Sequence, residues 1–475
     1  MSASTEKTIL SIVTIPDPRL KEKARPVGRI QKRHRQLLEA MAATMEEAEG
    51  VGLAAPQVGV LERIFIAQVQ GEVREFINPE ILEKSEETED GWEGCLSVPY
   101  IHALVPRARR VRITALDRKG HRFWLDLEGF DARVVQHELD HLDGLLILDR
   151  GKKFYEVPKA ARHRVVFLGT PEFSVQVLTG LYDKGLVPRL IVTAPDRKRG
   201  RGQKLTPSPV KAVAQELDIP VLTPEKLRDP QFQEAVARVR PDILLTVAYG
   251  RKLPPSLLAI PQKDALNLHA SLLPRWRGAA PIARALWAGD EVTGITVMRM
   301  REKIDEGEIL KQVAIPIDPE DDAGTLAEKM ARVGVEALWE VLEALWDGPI
   351  PGEAQEEGRA TWASPISPEE TWLEWGAPAD EVVRQVRALT PEPGVRTWRV
   401  DPEGERELWR VEKVEAVTGE GEPGTLLSAE GEIRVACGKG AVRLLRFRPQ
   451  GRRSMDAEEF LRGHRLKPGT RFLSP

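Results

Sequence analysis

The sequence predicts a multidomain chain in which an α+β domain is followed by a doubly wound α/β domain and a small β-barrel. At 475 residues the chain is too long for one ordinary hydrophobic core. Residues 9–150 mix short strand-like runs with few helical patterns, whereas apolar runs alternate with helical patterns over residues 165–347. From residue 371 onward, short alternating runs are separated by Gly and Pro, which is typical of a small barrel.

The composition describes a soluble globular protein, which we expect in the cytoplasm. Apolar residues make up 41% of the chain and charged residues 30%, unlike a disordered or membrane protein. The polar N-terminus has no signal-peptide core, and no long uncharged stretch can span a bilayer. If Cys95 binds a metal, Cys437 has no partner for a disulfide, which fits a reducing compartment. The net charge of −4 gives no global argument for nucleic acid, so any RNA surface must be local.

The first domain is predicted at residues 1–150. A helical stretch near residues 36–49 precedes strand-like runs at 63–67 and 111–115, and a helix with two histidines ends the domain. This mixture lacks the regular βαβ alternation of a parallel sheet, so we expect an α+β fold. The polar stretch 151–162 is interpreted as a linker.

The second domain is predicted at residues 163–347. Residues 165–169 (VVFLG) indicate a buried parallel strand that leads into a turn and a helix, and similar apolar runs occur at 190–193 and 243–247. Helical patterns lie between these runs, as in a doubly wound α/β fold. No Gly-x-Gly-x-x-Gly turn follows the first strand, which argues against a dinucleotide cofactor.

The remaining residues form a second predicted linker and a third domain. Residues 348–368 are rich in Gly, Pro and Glu and are interpreted as the linker. Residues 369–475 contain alternating runs at 408–411, 432–435 and 441–445, which predict the strands of a small β-barrel.

The residues of a catalytic metal site lie in the first domain. His137 and His141 are four positions apart, so one helix face presents both to a single divalent metal. Cys95 adds a thiolate from a separate segment, and the fourth position stays open, as in catalytic sites. Glu138 lies between the histidines and is the candidate general base for a water that the metal activates.

These residues belong to three motifs that occur in a recognisable order. The runs GVGLAAPQ (50–57), EGCLS (93–97) and QHELDH (136–141) resemble the three motifs of peptide deformylase. The resemblance covers nearly all of residues 9–150 and implies a deformylase-like α+β fold. It also implies that the domain hydrolyses the formyl group from the N-terminal methionine of new peptides, with a metal-activated hydroxide as nucleophile.

The deformylase resemblance assigns further roles. Glu138 would pass its proton to the leaving amine, and the Gln57 side-chain amide and the Leu96 backbone N–H would donate to the oxyanion. The family mostly uses Fe2+, although a two-histidine, one-cysteine set does not separate iron from Zn2+ or Ni2+. Glu93 and Arg107 are candidates for a buried ion pair behind the cysteine loop, and the alternative is two exposed charges.

A second group of polar residues lies in the second domain. Asn267 and His269 follow an apolar run, and a single histidine near a strand end is more often structural than catalytic. Asp305 lies at a turn further along the chain, where its carboxylate can orient or charge an imidazole. A loop rich in basic residues begins near residue 194.

Together with residues 166–173 (VFLGTPEF) and 271–281 (SLLPRWRGAAP), this group resembles methionyl-tRNA formyltransferase over residues 163–475. The resemblance implies a Rossmann-like formyltransferase domain and a C-terminal OB-like β-barrel that binds tRNA. The implied reaction transfers a formyl group from 10-formyltetrahydrofolate to the amino group of initiator methionyl-tRNA. Asn267 and His269 would stabilise the oxyanion, and Asp305 would tune His269 and help to remove the amine proton. The implied folate contacts are Ser271, Leu272, Leu273 and Pro274.

Two basic surfaces are candidates for RNA contacts. A solvated loop is the ordinary interpretation of a charge run, but the glycines and the resemblance favour a loop that grips the acceptor stem by its phosphates. The residues predicted to bind tRNA there are Arg197, Lys198, Arg199, Arg201 and Lys204. A second surface in the barrel domain would use Arg443, Arg446, Arg448, Arg452 and Arg453.

The sequence therefore predicts a bifunctional enzyme of formylmethionine metabolism. Its predicted partners are initiator methionyl-tRNA and N-formylmethionyl peptides at the ribosome. One alternative is a general metallopeptidase joined to another formyltetrahydrofolate-dependent transferase. Cys95 as the third ligand disfavours the common zinc peptidases, and the basic loop disfavours a sugar acceptor. Another alternative is an inactive RNA-binding scaffold, which the intact catalytic residues at both sites disfavour.

Overall fold

The structure, a computed structural model, describes residues 8–199 and 204–475. The chain divides into two compact units, Met1–Val157 and Pro158–Pro475, and each is described by itself. Within the described residues, no helix combines the length and the apolar character needed to cross a membrane.

The first unit contains eight described strands and three described α-helices. Its strands are β1 (Gly52–Ala54), β2 (Ile64–Val69), β3 (Glu72–Lys84), β4 (Thr88–Cys95), β5 (Val98–Ala108), β6 (Arg110–Leu116), β7 (Arg122–Glu128) and β8 (Lys153–Glu156). Its helices are α1 (Lys32–Glu47), α2 (Gly129–Leu142) and α3 (Ile147–Arg150).

Two antiparallel sheets and the helix α2 form the core of this unit. One sheet has the order β1-β2-β3-β6-β7, and the other has the order β4-β5-β8. Phe65 and Phe76 stack across β2 and β3 with ring centroids 4.5 Å apart, and the apolar face of α2 packs on the same cluster through Ala132 and Val135. The predicted helix near residues 36–49 and the strands at 63–67 and 111–115 are present as α1, β2 and β6, so the predicted α+β class is confirmed.

The second unit begins with an α/β region. Its strands are β9 (Val165–Gly169), β10 (Leu190–Val192), β11 (Arg197–Arg199), β12 (Lys204–Thr206), β13 (Val221–Leu222), β14 (Ile243–Val247), β15 (Asp264–His269), β16 (Arg277–Gly278), β17 (Val292–Arg299), β18 (Ile309–Pro316) and β19 (Trp362–Ala363). Its helices are α4 (Glu172–Asp183), α5 (Pro209–Glu216), α6 (Pro230–Arg238), α7 (Pro255–Leu258), α8 (Pro281–Ala288) and α9 (Ala323–Asp347).

A seven-stranded sheet of order β13-β10-β9-β14-β15-β17-β18 organises this region. The strands from β13 to β15 pair in parallel, whereas β17 and β18 are antiparallel. Val165 and Phe167 of β9 pack into one apolar cluster, and Val166 and Leu168 pack into another. Since successive side chains of a strand point to opposite faces, both faces of the sheet are covered, which explains the uninterrupted apolar run of β9. The predicted doubly wound fold is confirmed.

A barrel-like sheet follows. Its elements are α10 (Ala379–Leu389), β20 (Val395–Val400), β21 (Arg406–Val417), β22 (Leu426–Ser428), β23 (Ile433–Ala436), β24 (Ala441–Pro449), β25 (Met455–Asp456), α11 (Ala457–Gly463) and β26 (Arg471–Leu473). The order is β22-β23-β24-β21-β20-β26, and an isolated bridge between Thr425 and Arg471 nearly closes it. Trp409 is fully buried inside and stacks on Phe447 at 4.1 Å. The predicted small β-barrel is confirmed as a nearly closed sheet.

The two stretches predicted as linkers both carry structure. In residues 151–162, strand β8 pairs with β5 of the first unit, and a 3-10 helix spans Lys159–Arg162. In residues 348–368, a 3-10 helix spans Glu357–Arg359, and β19 pairs in parallel with β16. Such segments escape sequence patterns because short edge pairings use backbone groups rather than side chains.

Candidate active sites

Cys95, His137 and His141 converge on one point in the first unit. Cys95 ends β4, and both histidines lie on one face of α2. Cys95 Sγ lies 3.2 Å from His141 Nε2, which lies 3.3 Å from His137 Nε2, and all three donor atoms fall within 4.8 Å of one another. Tetrahedral ligands about 2.0–2.3 Å from a metal lie roughly 3.3–3.7 Å apart, so the donor set fits one divalent ion.

The local backbone explains why the cysteine reaches the histidine helix. The register between β4 and β5 is irregular between Glu93 and Cys95, where Gly94 intervenes. An irregularity of this kind turns a side chain away from the direction that plain alternation would give it. Glu93 therefore lies in the interior while Cys95 also points toward α2.

Glu138 lies beside this donor set and is almost completely buried. Its Oε2 has no hydrogen-bond partner among the described residues, which is unusual for a buried carboxylate. Burial raises the pKa of Glu138 to about 7. Gly52 lies directly against it, because a Cβ built on Gly52 would lie 2.3 Å from Glu138 Oε1. An unpartnered carboxylate next to three metal-binding atoms is suited to receive a proton.

Glu93 connects the metal-binding residues to a buried charge network. Its Oε2 lies 3.0 Å from His137 Nδ1, which orients the ring so that Nε2 faces the other donors. Arg107 donates to both oxygens of Glu93 at 2.9 Å, so the predicted buried ion pair is confirmed. Burial alone would raise the pKa of Glu93, but hydrogen bonds from Arg107 and His137 lower it to about 2.

Sequence reasoning missed three members of this network. Arg133 donates to Glu93 Oε1 at 2.8 Å, and Arg107 also donates to Asp140 Oδ2 at 2.5 Å. Arg150 pairs with Asp140 Oδ1 at 2.9 Å. A signal existed for Arg133, since it precedes His137 by four residues and shares its helix face. Asp140 lies inside the histidine motif but does not reach the metal-binding atoms, so its role depends on partners distant in sequence.

Gln57 and Leu96 lie at the edge of the donor set. Gln57 Oε1 accepts from Ala54 N at 2.8 Å, which fixes the amide so that Nε2 faces Ser97 Oγ at 3.2 Å and Cys95 Sγ at 3.8 Å. Leu96 follows Cys95 directly, and its side chain packs toward Gly50. Both donors that the sequence suggests are therefore next to the metal-binding atoms.

The second predicted group meets at the end of β15. Asn267 and His269 are two residues apart on this strand, share a face and are both buried. His269 Nε2 lies 2.8 Å from the Trp276 carbonyl oxygen, and because a carbonyl can only accept, Nε2 carries the proton. Nδ1 lies 3.7 Å from Asp305 Oδ2, which is too long for a hydrogen bond but within ion-pair range. The Asp305 carboxylate therefore faces the ring nitrogen that does not donate to Trp276.

Asp305 is held at the turn between β17 and β18. Its backbone has φ of 55°, a left-handed conformation that is uncommon outside glycine. The Gly278 N–H donates to Oδ2 at 2.9 Å and so fixes the carboxylate. Neither Gly278 nor Trp276 was predicted to take part, because backbone groups leave no signal in side-chain patterns.

The predicted folate segment forms a tight turn after β15. Ser271 is fully buried, and its Oγ donates to the Arg275 carbonyl at 2.6 Å. The carbonyl of the buried Leu273 accepts from Gln312 Nε2 at 2.8 Å. Leu272 and Pro274 are half-buried and present the accessible surface of the segment.

The predicted RNA-contact residues lie on separate structures. Arg197, Lys198 and Arg199 form β11, which pairs with β12 beginning at Lys204, and Arg201 lies outside the described residues. In the barrel, each of the five arginines has a partner: Arg443 with Glu415, Arg446 with Asp456, Arg448 with Glu412, Arg452 with His464, and Arg453 with Glu459. Four of these five arginines pair with carboxylates, so most of the positive charge of this group is compensated.

Comparison with known proteins gives matches along the chain. The family models Polypeptide deformylase, Formyl transferase, and Formyl transferase C-terminal domain match residues 9–156, 163–342 and 365–465. Methionyl-tRNA formyltransferase of Geobacter sulfurreducens is 43% identical over 312 residues, which cover 65% of this chain and 96% of that protein. Methionyl-tRNA formyltransferase of Pseudomonas syringae pv. syringae is 42% identical over 305 residues, covering 64% of this chain and 96% of that protein.

Two solved structures of peptide deformylases are similar to part of this chain. The crystal structure of peptide deformylase from Thermotoga maritima is 42% identical in sequence. The match covers 30% of this chain and 99% of the Thermotoga chain, with a TM-score of 0.30. A peptide deformylase structure from Legionella pneumophila is 40% identical and covers 30% of this chain and 86% of that one, with a TM-score of 0.29.

Proposed function

The chain belongs to the methionyl-tRNA formyltransferase family and carries a peptide deformylase domain ahead of it, and from this premise we propose how its residues perform the two reactions. The enzyme adds a formyl group to initiator methionyl-tRNA and removes the formyl group from N-formylmethionyl peptides. The convergence of Cys95, His137 and His141 beside the unpartnered carboxylate of Glu138 carries the hydrolytic half. The proximity of His269 and Asp305 supports the residue roles in the transferase half.

In the deformylase site, we assign the metal to Cys95, His137 and His141. A bound divalent ion supplies Lewis acidity and an activated water. We propose Fe2+ as the native ion, with Zn2+ or Ni2+ as alternatives, since thiolate and imidazole ligands suit all three. Glu93 orients His137 through Nδ1, and its own partners hold it as an anion.

The remaining residues of this site handle protons and charge. Glu138 accepts the proton of the attacking water and passes it to the leaving amine, which its buried position beside the donor set favours. The Gln57 Nε2 and the Leu96 N–H donate to the formyl oxygen as it gains negative charge. Because Gln57 is already fixed through Ala54, this donor needs no rearrangement during the reaction.

In the transferase site, Asn267 and His269 stabilise the oxygen of the formyl group as the methionyl amine attacks. We propose that Asp305 tunes His269 and helps to remove the proton of the amine. The formyl donor is 10-formyltetrahydrofolate, and we assign its contacts to Ser271, Leu272, Leu273 and Pro274. The buried bonds of Ser271 and Leu273 support this segment, since they hold the turn in one shape.

The tRNA would be gripped by the basic segment around β11 and β12. Arg197 is exposed on β11, where a phosphate can reach it. We assign the acceptor-stem phosphates to Arg197, Lys198, Arg199, Arg201 and Lys204. The barrel would add a weaker tRNA surface, because four of its five candidate arginines already pair with carboxylates.

The domain division and the location follow from these roles. We propose a deformylase domain at 1–150, a catalytic transferase domain at 163–347 and a tRNA-binding barrel at 369–475, joined through residues 151–162 and 348–368. The division of the chain between Val157 and Pro158 supports the first boundary region. We propose that both reactions take place in the cytoplasm and that the peptides are met at the ribosome, because initiator tRNA and nascent peptides are the substrates.

The test follows labelled formyl from 10-formyltetrahydrofolate onto methionyl-tRNA, with the wild-type chain and Glu138→Ala prepared anaerobically. We expect both to form labelled formylmethionyl-tRNA equally, because the peptide site requires residues beyond methionine. Only the wild type should release formate from a formylmethionyl peptide. Absence of labelled tRNA would reject the transferase half, and equal release of peptide formate by both proteins would reject the role of Glu138.

A further inference from the structure

The stretch between α9 and the barrel returns to the transferase site. Glu353 and Ile309 exchange two backbone hydrogen bonds of 2.8 Å, so the stretch is fixed next to β18. Further along, Thr361 O accepts from Arg277 N at 2.9 Å, and Thr361 Oγ1 accepts from Trp276 N at 2.9 Å. A segment with the composition of a linker is thus attached at two places to the loops that carry the reacting groups.

Between these attachments, Gln355 uses every hydrogen-bonding position of its side chain. Its Nε2 donates to the carbonyl oxygens of Asp305 and Gly307, each at 2.8 Å. Its Oε1 accepts from Arg277 Nε at 3.0 Å and from Arg277 Nη2 at 2.8 Å. An amide has two donor hydrogens and two acceptor lone pairs, and all four are used here.

Arg277 links the amide oxygen of Gln355 to the loop that contacts the Asp305 carboxylate. It is one of the most deeply buried large side chains, with 1% exposure, and Glu357 holds its charge through bonds of 2.8 and 3.0 Å. The next residue is Gly278, whose N–H donates to Asp305 Oδ2. Gln355 therefore fixes both the backbone that carries Asp305 and the loop that supplies the hydrogen bond to its carboxylate.

The turn at Asp305 needs such support. A left-handed backbone at a residue with a side chain persists only where the surroundings hold it. Gly307 also allows a close approach, because a Cβ there would lie 1.7 Å from the Arg299 carbonyl oxygen. Two carbonyls of one turn converge on a single donor group, so loss of that group would free the turn at the point where it carries the carboxylate.

We propose that Gln355 is a positioning residue for formyl transfer, which acts by holding the Asp305 carboxylate beside His269. This inference rests on the proposed role of Asp305. It predicts that changes at Gln355 lower the rate of the transfer step and leave the binding of both substrates intact. A purely structural role would instead lower stability, or weaken substrate binding, without dependence on Asp305.

The experiment compares Gln355→Ala, Gln355→Glu and Asp305→Asn in the full chain. Gln355→Glu keeps the shape and the acceptor oxygen for Arg277 but replaces the donor Nε2 with an oxygen that faces two carbonyls. We expect both Gln355 variants to lower kcat by roughly tenfold to a hundredfold, the effect of a small misplacement. KM for the folate donor and for methionyl-tRNA should stay unchanged. Glu356→Gln is the matched control, since Glu356 pairs only with Arg359 among the contacts of its side chain in the described chain.

The double variant separates positioning from independent effects. If Gln355 acts through Asp305, Gln355→Ala in the Asp305→Asn background should lower kcat by less than about threefold further. Deformylase activity of the same chain measures the amount of intact protein, and the thermal midpoint reports folding. If Gln355→Ala unfolds, the isosteric Gln355→Glu decides the question.

The outcomes distinguish the catalytic role of Asp305 from the positioning role of Gln355. Wild-type turnover in Asp305→Asn removes Asp305 from the proposed function, and the positioning role falls with it. A slow Asp305→Asn with wild-type turnover in both Gln355 variants overturns the positioning role alone. Fully additive losses also overturn it, since they show that Gln355 acts separately from Asp305.

Discussion

Arg107 and Glu93 form a bidentate ion pair inside the first unit, with Nε 2.9 Å from Oε1 and Nη2 2.9 Å from Oε2. Both side chains are nearly buried, and the same carboxylate receives His137 Nδ1. The pair therefore stabilises the fold and at the same time sets the orientation of a proposed metal ligand.

Replacement of Arg107 by Met should affect both properties. Removal of Arg107 leaves the buried Glu93 carboxylate with Arg133 as its remaining arginine partner, so the cost in the free energy of unfolding should be about 3 kcal/mol, the lower end for a broken buried pair. Metal affinity should fall by about 10–100-fold because Glu93, which orients His137, loses the guanidinium that fixes both of its oxygens. Urea unfolding and competition with a chelator measure the two effects. Arg109→Met, which removes exposed pairs with Glu87 and Glu128, should cost less than about 1 kcal/mol. Equal effects of the two variants would contradict this account.

A methyl group at Gly52 should impair peptide deformylation specifically. The added Cβ would lie 2.3 Å from Glu138 Oε1 and 2.7 Å from its Cδ, so the carboxylate must move. We expect Gly52→Ala to lower kcat for formate release by roughly tenfold to a hundredfold, with metal content and formyl transfer unchanged. Gly28→Ala is the control, because nothing lies within 4 Å of a Cβ there. Normal formate release by Gly52→Ala would show that Glu138 tolerates displacement.

Asp242 should stabilise the second unit in a pH-dependent way. Burial alone would raise its pKa, but hydrogen bonds from the Arg164 side chain and N–H lower it below the ordinary value of 3.8. A lowered folded-state pKa gives stability that is present above the unfolded value and is lost as pH falls through the folded value. Asp242→Asn should therefore cost about 1–2 kcal/mol at pH 7, and the difference from wild type should shrink below pH of about 4.

Urea unfolding at a series of pH values measures this difference. Glu234→Gln serves as the control, because its pair with Arg238 is exposed on both sides. If the difference in the free energy of unfolding between wild type and Asp242→Asn grows toward acid pH, the folded-state pKa of Asp242 is not lowered and this prediction is wrong.

The two thiols should differ sharply in reactivity. Burial raises the pKa of Cys437 to about 11, so at pH 8 roughly one thiol in a thousand is ionised. Cys95 is half-buried next to the histidines. After removal of metal, a thiol reagent should label Cys95 rapidly and Cys437 slowly, and added metal should protect Cys95. Peptide mapping identifies the labelled residue, and Cys437→Ser should leave the fast phase unchanged. Rapid labelling of Cys437 in the folded chain would contradict its buried position.

The basic segment should determine the salt dependence of tRNA binding. Replacement of Arg197, Lys198 and Arg199 by Ala should weaken binding. It should also make the negative slope of log affinity against log salt shallower, by about one for each phosphate that the protein no longer neutralises. Filter binding of methionyl-tRNA over a range of salt concentrations measures this slope. Arg446→Ala in the barrel, whose arginine already pairs with Asp456, should change the slope less. An unaltered slope in the triple variant would remove this segment from the tRNA surface.

Much of this molecule could be predicted from its sequence. The apolar run of β9 and the alternating runs around Trp409 predicted the sheets, because burial on one or two faces imposes those patterns. The histidine motif predicted a metal site, since residues four apart share a helix face. In contrast, Gly278, Trp276 and Gln355 act through backbone groups or through contacts between distant parts of the chain. Their importance depends on chain topology, which no local pattern records.

The return of residues 353–363 to the transferase site has a consequence for recombination. The barrel follows this stretch, so a natural or laboratory exchange of barrels that cuts directly after α9 would bring in a foreign Gln355 and Thr361 with the new barrel. The loops that carry Asp305 and Arg277 in the recipient would then contact a segment that evolved with the loops of another protein. A cut after Ala363 would keep that segment with its own loops. The segment that must be exchanged together to keep formyl transfer therefore extends beyond the sheet that carries His269, as far as Ala363.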